Sequence, residues 1–297
     1  MLSAVGPVPL AFRPPLSADP LLGWFAARAV DGVSEVAGDV VRRTLRLAGG
    51  PARIHVAVGP HRVTASFELT SPADEHEALV RCRRMLDLDV DPAPVDERLR
   101  ADDRMAPLVA ARPGLRVAGA ADPHEMALLT VLGQQISTAA ARTLAGRLVA
   151  RVGGDADVPG LGPHRLFPRA AAVAEADLDG LGMPARRAST VRAVAAALAG
   201  GHIDLSGRGD PAEVRSRLLA LPGVGPWTAD YVLLRAVGDR DALPATDLVL
   251  RQQAAERGID LDSDSERWRP WRSYAAQHLW SASALTPRRP GGTGTRR

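Results

Sequence analysis

The stretch that most constrains the fold of this chain is 218–252, which contains two short helical segments joined by a turn of glycine and proline. In the turn, Pro222-Gly223-Val224-Gly225, the proline disfavours helical geometry at the residue before it, and the glycines adopt conformations that other residues resist. Upstream, Asp210-Pro211 has the form of a helix start, and Gly238 is a helix-ending residue downstream. The sequence therefore predicts a helix-turn-helix hairpin over 210–238.

The backbone of such a hairpin can bind an anion. A glycine-rich turn that leads into a helix exposes several backbone N–H groups at the positive end of the helix dipole, where a phosphodiester fits. A GxG turn alone is more often an ordinary helix connection. Here, hydrophobic residues flank the turn in 221–229 (LPGVGPWTA), and Asp247 follows a proline-containing loop in 243–252 (LPATDLVLRQ).

This combination resembles the helix-hairpin-helix DNA glycosylases, whose signature ends in a Gly/Pro-rich loop and a catalytic aspartate. The resemblance places that aspartate at Asp247. One branch, bacterial DNA-3-methyladenine glycosylase II, is similar over nearly the whole chain apart from the C-terminal tail. The matching stretches are LLGWFAARAV, AARPGLRVAG, VLGQQIS, LGMPARRA, the hairpin and ERWRPWRSYAAQHLW.

The resemblance implies an α+β fold, in which an N-terminal antiparallel α/β domain precedes an all-helical glycosylase region. That region has two lobes with the active-site cleft between them. We place the N-terminal domain at 1–113, the helical region at 114–286 and a disordered basic tail at 287–297.

Local patterns give the elements within these parts. The β-rich runs predict a three-stranded meander, whose strands are Val40–Leu47, Ile54–Val58 and Val63–Leu69. Helical patterns occupy Leu21–Val30, Glu75–Leu88, the run from Pro123 to Gly153 with a break near 133–137, Ala170–Leu181, Thr190–Ala199 and part of Ser265–Ser283. We expect residues 89–96 to be a connection.

Two features of composition exclude whole classes of chemistry. All 37 residues of the Lys+Arg count are arginine, so this chain cannot form a lysine Schiff base or a pyridoxal-phosphate aldimine. The single cysteine, Cys82, excludes an internal disulfide, a cysteine-rich zinc site and a four-cysteine iron–sulfur cluster. Arginines flank Cys82, yet a half-buried helix thiol is the better interpretation than a nucleophile. The formal net charge of +3 gives only weak support for a nucleic-acid partner.

The resemblance gives Asp247 the catalytic role. Glycosidic cleavage builds positive charge on the sugar, and an adjacent carboxylate lowers that barrier and can orient the attacking water. From the residues alone, a simple N-cap is the usual role of an Asp at this position, and only the motif raises catalysis above it. Other nearby carboxylates are Asp230, Asp239 and Asp241. Trp227 occupies the position at which lyase-active relatives have a lysine, so we expect a monofunctional enzyme that leaves an abasic site.

Four aromatic residues match the substrate pocket of the family: Trp24, Trp227, Tyr231 and Trp280. Aromatic faces attract a cationic methylated purine by stacking and cation–π interactions, each worth roughly 0.5–2 kcal/mol. At helical spacing such residues are more often core, and for Trp24 the two interpretations have even weight. The residue after Asp247 is Leu248, where the family pattern has a tyrosine, which affects the substrate range.

Contacts with DNA also follow from the resemblance. Gln135 lies where the family inserts a wedge residue into the duplex to fill the gap left by a flipped nucleotide, although a Gln that merely ends a helix is the alternative. The backbone N–H groups that should face a phosphate are those of Gly223, Gly225 and Thr228. The carbonyl groups that should hold a structural Na⁺ or K⁺ are those of Leu219, Leu221 and Val224. Arg186 and Arg251 either contact the DNA backbone or are simply solvated.

The sequence therefore predicts a glycosylase of broad range that excises 3-methyladenine-type bases from double-stranded DNA, with no cofactor for the chemistry. One alternative is a glycosylase of the same superfamily for deaminated or oxidised bases; another is a non-catalytic module that binds damaged DNA. We expect a monomer in the cytoplasm, associated with the nucleoid. The chain shows no apolar run that could span a membrane and no signal peptide.

Overall fold

The computed structural model describes residues 3–154 and 162–283. Its N-terminal part contains one antiparallel sheet of five strands in the order β1-β5-β4-β3-β2. The strands are β1 (Ser3–Pro9), β2 (Ser34–Ala37), β3 (Val40–Leu47), β4 (Gly50–Val58) and β5 (Val63–Leu69). The predicted meander is confirmed as β3, β4 and β5, and the sheet extends beyond it on both sides.

One face of this sheet is buried by helices. In β5, Val63, Ala65, Phe67 and Leu69 alternate with half-buried neighbours, which is the period of two that a strand with one core face requires. The first helix, α1 (Ala18–Arg28), and the second, α2 (Glu75–Leu86), contribute their apolar residues to the same core cluster.

The single cysteine belongs to this core. Cys82 lies on α2 with its side chain fully buried, so the expected half-buried position is corrected to a complete one. Burial raises the pKa of the Cys82 thiol to about 12. Because the thiolate is the reactive form, this residue is inert packing rather than a nucleophile.

Eleven further α-helices follow in the described residues. They are α3 (Pro92–Arg100), α4 (Ala106–Ala111), α5 (Pro123–Leu132), α6 (Thr138–Val152), α7 (Ala170–Glu175), α8 (Ala185–Ala199), α9 (Pro211–Leu219), α10 (Pro226–Val232), α11 (Leu248–Ala255), α12 (Leu261–Asp264) and α13 (Arg272–Ser283). A π-helical segment, Leu233–Val237, continues α10, and a 3₁₀ turn, Ser265–Trp268, follows α12.

Local chemistry explains where prediction and structure agree. The hairpin is present as α9 and α10, and the break between α5 and α6 falls at the predicted glycine. The connection expected at 89–96 is wrong, because α3 begins there: Asp91 caps it by accepting from the Ala93 N–H at 3.0 Å, with Pro92 as the first helical residue. The helix expected over Ala170–Leu181 ends early, at Glu175.

The helical region has its own core, separate from the core under the sheet. Side chains of α3 and α4, including Val95, Leu99 and Val109, pack into this helical core rather than against the sheet. A boundary at 113 stays a prediction, and the tail at 287–297 lies outside the described residues. In the part of the chain that the structure describes, no helix has the length and apolar character needed to cross a membrane. The α+β fold class is confirmed.

Candidate active site

A cavity of about 1100 Å³ lies where the sheet unit meets the helical region. Its wall brings together residues that are far apart in sequence. Those that carry the predicted chemistry are Trp24 from α1, Trp227 and Tyr231 from α10, Asp247 at the start of α11 and Trp280 from α13. The volume is large enough to admit a nucleobase. All five predicted catalytic and pocket residues therefore line one space.

Asp247 is a helix cap and a cavity residue at once. Its Oδ1 accepts from the Leu250 backbone N–H at 2.8 Å, which makes Asp247 the N-cap of α11. Trp280 donates its indole N–H to Oδ1 at 3.1 Å, and Trp227 donates its indole N–H to Oδ2 at 2.8 Å. Oδ1 thus has two donors from described residues and Oδ2 has one, so Oδ2 retains a lone pair for another partner.

The other carboxylates near the hairpin do not line the cavity. Asp230 forms an ion pair with Arg215 at 2.6 Å. Asp241 pairs with Arg272 at 2.9 Å. Asp239 accepts from the Asp241 backbone N–H at 2.9 Å, and burial raises its pKa. Among these four, Asp247 alone faces the space in which a base could lie.

The aromatic side chains form a connected group along the cavity wall. The rings of Trp227 and Tyr231 stack with centroids 5.1 Å apart and an angle of 23° between their planes. Tyr231 meets Trp280 edge to face at 5.9 Å. These residues are at helical spacing, yet they are not ordinary core, because each also contributes to the open cavity.

A buried arginine that sequence reasoning missed lies among these rings. The Arg235 guanidinium is 5.0 Å from the Trp24 centroid, 5.4 Å from the Tyr231 centroid and 5.3 Å from the Trp280 centroid. It donates to the carbonyl of Ala118 at 2.9 Å and to Oε1 of Gln277 at 2.8 Å. The signal in the sequence was a single arginine within the apolar run VLLRAV.

The two hairpin glycines do different work. Gly223 has φ +84°, and a Cβ there would lie 2.1 Å from Oγ1 of Thr190, so this position requires glycine for both conformation and space. Gly225 is the N-cap of α10 with φ −100°, and no atom lies within 4 Å of where its Cβ would be. The turn itself uses the Val224 N–H, which donates to the carbonyl of Leu221 at 3.1 Å.

The loop between α5 and α6 lies beside the hairpin. Gln135 is exposed there and has a left-handed backbone conformation, φ +56°. Its neighbour Gln134 fixes the loop: its amide donates to Oγ1 of Thr228 at 2.8 Å and to the carbonyl of Gly223 at 3.2 Å. Arg187 adds a third link by donating to the Gln134 carbonyl at 2.6 Å. Sequence reasoning missed Gln134 and Arg187.

The two arginines proposed for DNA contact differ. Arg186 is exposed at the start of α8. Arg251 is engaged within the protein, because it donates to the carbonyl of Ala245 at 2.7 Å and pairs with Asp262 at 3.0 Å. These bonds hold the loop that carries Asp247 against the start of α12.

Comparison with known proteins places this geometry in a family. The model of the AlkA N-terminal domain matches residues 7–122, and that of the HhH-GPD superfamily base excision DNA repair protein matches 128–266. DNA-3-methyladenine glycosylase 2 of Escherichia coli is 34% identical over 288 residues, which cover 94% of this chain and 98% of the relative. The chain belongs to the DNA-3-methyladenine glycosylase 2 family.

Other similarities agree with membership of the DNA-3-methyladenine glycosylase 2 family. A Mycobacterium tuberculosis protein, described as a probable bifunctional transcriptional activator/DNA repair enzyme AlkA, is 43% identical over 92% of this chain. The chain spans only 56% of the length of that relative. The fold matches that of a 3-methyladenine DNA-glycosylase from Archaeoglobus fulgidus with a TM-score of 0.80, 19% identity and coverage of 96% of this chain and 100% of the other.

Proposed function

We propose that this chain is a monofunctional DNA glycosylase that flips out alkylated bases of the 3-methyladenine type and hydrolyses their N-glycosidic bonds. The observation that carries the proposal is Asp247 in the wall of an aromatic cavity, held there by two indole N–H groups. Membership of the glycosylase family supports the same activity.

The carboxylate accounts for the chemistry. As the glycosidic bond breaks, the electron pair leaves with the base and positive charge develops at C1′ of the sugar. The negative charge of Asp247 stabilises that centre, and Oδ2, with its remaining lone pair, orients a water that adds to C1′. The water gives its oxygen to the sugar and its proton to solvent or base. Because the chain contains no lysine, no Schiff base forms and the product is an abasic site.

The cavity accounts for recognition of the base. The rings of Trp227, Tyr231 and Trp280 form its aromatic wall, and Trp24 contributes from the N-terminal part. A flat base that enters this space stacks on the aromatic rings whatever its identity, and its glycosidic bond then lies toward Asp247. This arrangement favours a broad range of damaged bases over one lesion read by hydrogen bonds.

In this proposal the hairpin and the adjacent loop bind double-stranded DNA. The backbone N–H groups of Gly223, Gly225 and Thr228 lie at the turn and first residues of α10, where a phosphate is favoured by the helix dipole. Gln135 is exposed, and its neighbour Gln134 bonds to the turn, which supports a role for Gln135 in filling the space vacated by a flipped nucleotide.

We further propose that Na⁺ or K⁺ supports this hairpin through the carbonyl groups of Leu219, Leu221 and Val224. The donor set fits a monovalent cation, because it consists of neutral oxygens. The Leu221 carbonyl accepts one backbone N–H, from Val224, and keeps its second lone pair. Among the described residues no cluster of His, Cys, Asp or Glu could hold a metal ion.

Incubation with methylated duplex DNA, followed by chromatography of the released bases, tests the function. We expect the wild-type protein to release 3-methyladenine and Asp247→Asn to lose at least about 100-fold in single-turnover rate, as loss of a charge-stabilising group does. Full activity of Asp247→Asn would remove the catalytic assignment. Release of 8-oxoguanine without action on 3-methyladenine would indicate a glycosylase for another lesion. Binding to abasic DNA without release of any base would indicate a binding module.

A further inference from the structure

Two arginines share one ring of the cavity wall. The Arg28 guanidinium lies 4.8 Å from the centroid of Trp24, and the Arg235 guanidinium lies 5.0 Å from the same centroid. Both arginines line the cavity together with Trp24. Arg28 is exposed at the last turn of α1, whereas Arg235 is buried in the π-helical segment after α10.

The charges of these two arginines have no carboxylate partner among the described residues. Arg235 donates to the carbonyl of Ala118, to Oε1 of Gln277 and to the hydroxyl of Tyr231. The Arg28 guanidinium lies over the face of Trp24, and its charge also acts on Tyr231. A guanidinium keeps its proton in a protein, so both groups remain cations. The wall of the cavity therefore carries the fixed positive charge of Arg28 and Arg235 in addition to its carboxylates. These are Asp247 and Asp19, together with Glu35 and Glu125, which form ion pairs with Arg42 and Arg43.

This charge changes what the aromatic faces can offer to a base. The attraction of a π face for a cation is electrostatic, and Trp24, Tyr231 and Trp280 each already lie within 5.4 Å of the Arg235 guanidinium. A positively charged base that entered the cavity would meet guanidinium charge on the same wall. Stacking remains available to every flat base, but selection for a cation through the ring faces is opposed.

We propose that Arg28, together with Arg235, sets the base selectivity of the cavity by favouring neutral damaged bases over cationic ones. The inference rests on the proposed glycosylase function. In this proposal the two arginines act on the charge of the base, whereas Asp247 acts on the positive charge that develops on the sugar.

The direction follows from how charge moves in the reaction. A cationic base, such as 7-methylguanine in DNA, becomes neutral as it leaves, so it is repelled by the guanidinium groups until the bond is broken. A neutral base, such as hypoxanthine, gains negative charge as it leaves, and the same groups stabilise that charge in the transition state. Relative to free enzyme and DNA, the arginines therefore raise the free energy of the transition state for release of the cationic base and lower it for release of the neutral base. Release of the cationic base becomes less efficient and release of the neutral base more efficient.

Single-turnover release of 7-methylguanine and of hypoxanthine from otherwise identical duplexes tests this. The measured quantity is the ratio of the two efficiencies, each the maximal rate divided by the half-saturating protein concentration. We expect Arg28→Met to shift this ratio roughly fivefold to tenfold toward 7-methylguanine, which is the scale of one lost charge contact near an aromatic site. Arg28→Lys, which keeps the charge, should remain close to the wild-type ratio.

Arg208→Met is the matched control. Arg208 is exposed and lies outside the cavity, and its substitution removes the same net charge as Arg28→Met. The control should leave the ratio unchanged, and any loss of DNA affinity common to both substrates cancels in the ratio. A ratio for Arg28→Met within twofold of the wild-type value would overturn the inference while leaving the glycosylase activity in place. Failure of the wild-type protein to release either base would overturn the proposed function and the inference with it.

Discussion

Asp247 shows how one side chain can combine a structural task with the chemical task proposed for it. Capping α11 fixes its carboxylate through the Leu250 N–H, and the two indole N–H groups fix its orientation from the sides. The indoles also present their faces to the cavity. In the proposed mechanism, Trp227 and Trp280 are therefore more than stacking surfaces, because each indole N–H holds the carboxylate beside the space proposed for the base.

Replacement of Trp227 by phenylalanine separates these two tasks of the ring. Trp227→Phe keeps an aromatic face and removes the N–H that donates to Oδ2 at 2.8 Å. A hydrogen bond to a charged group contributes about 1.5–3 kcal/mol, so we expect the single-turnover rate at saturating protein to fall about tenfold or more. The half-saturating concentration should change little, since the stacking face remains.

The control for this prediction is the same change in a protein that lacks the carboxylate. In the Asp247→Asn background, Trp227→Phe should cost much less than in the wild type, because the indole acts through the carboxylate. Equal losses in the two backgrounds would mean that Trp227 acts on the base alone.

Single residues were predictable from the sequence where a motif carried them. Asp247, the aromatic positions and the hairpin glycines follow from the resemblance to a family. The structure places Asp247 and the aromatic residues around one cavity and the glycines at the turn between α9 and α10. Arg235 and Gln134 were missed because their partners lie far away in sequence: Arg235 bonds Ala118 and Gln277, and Gln134 bonds Thr228. A pattern of local spacing contains no information on such contacts.

At the scale of elements, the hairpin is part of the packed fold and, in the proposed function, also a DNA contact, and its two glycines allow these two roles to be separated. Gly223 packs against Thr190 on α8, so any side chain there would disturb the fold before it affected DNA. Gly225 faces open space in an ordinary conformation. A substitution at Gly225 therefore reports on the N-terminus of α10 itself.

Gly225→Asp is expected to lower DNA affinity without loss of stability. Aspartate is a good N-cap, so the melting temperature should stay the same or rise. Its negative charge would repel a phosphate at the helix N-terminus, and we expect affinity to fall roughly tenfold near 0.1 M salt. Fluorescence anisotropy with intact and lesion-containing duplexes measures the loss, which should be equal for both.

Gly225→Asn is the matched control, because it also caps the helix but carries no charge. Its affinity should remain within about twofold of the wild-type value, since a few tenths of a kcal/mol is the usual effect of a surface change. A loss in Gly225→Asp confined to the damaged duplex would contradict a phosphate contact at this turn.

Elements were predictable in proportion to their periodicity and end signals. The strands β3, β4 and β5 and the helices that start at Asp122-Pro123 and Asp210-Pro211 were recovered, because alternation and capping are local. The helix α3 was missed although it starts in the same way, at Asp91-Pro92. The strand β1 (SAVGPVP) has glycine and prolines and little burial, and β2 has four residues, so neither carries a strand pattern. They are strands because β1 pairs with β5 and β2 pairs with β3, and such pairing depends on the tertiary structure rather than on the local sequence.

At the scale of the whole molecule, the last helix joins the parts. The hydroxyl of Tyr274 on α13 donates to Oδ2 of Asp87 at 2.8 Å. Asp87 follows the last residue of α2, the helix that packs into the core under the sheet. Burial raises the pKa of the Asp87 carboxyl to about 6. A few residues further along α13, His278 is buried close to α4 and to Arg112. The cavity depends on this packing, because α13 also carries Trp280.

His278 makes the stability of this assembly depend on pH. Burial, with Arg112 nearby, lowers the pKa of His278 from 6.5 to about 3. Between these two values the unfolded chain binds a proton that the folded chain does not, so the free energy of unfolding rises with pH in this window. The stability is complete above pH 6.5 and is lost progressively as pH falls toward 3. At pH 5 the loss from this one group amounts to about 2 kcal/mol.

Urea unfolding of the wild type and of His278→Gln at pH 7 and pH 5 tests the contribution. Glutamine does not titrate, so the variant should lose about 2 kcal/mol less than the wild type between the two pH values, whatever its stability at pH 7. Other titrating groups, including Asp87, act in both proteins and cancel in this difference. Equal losses would mean that water reaches His278 and that α13 packs less closely than the structure shows.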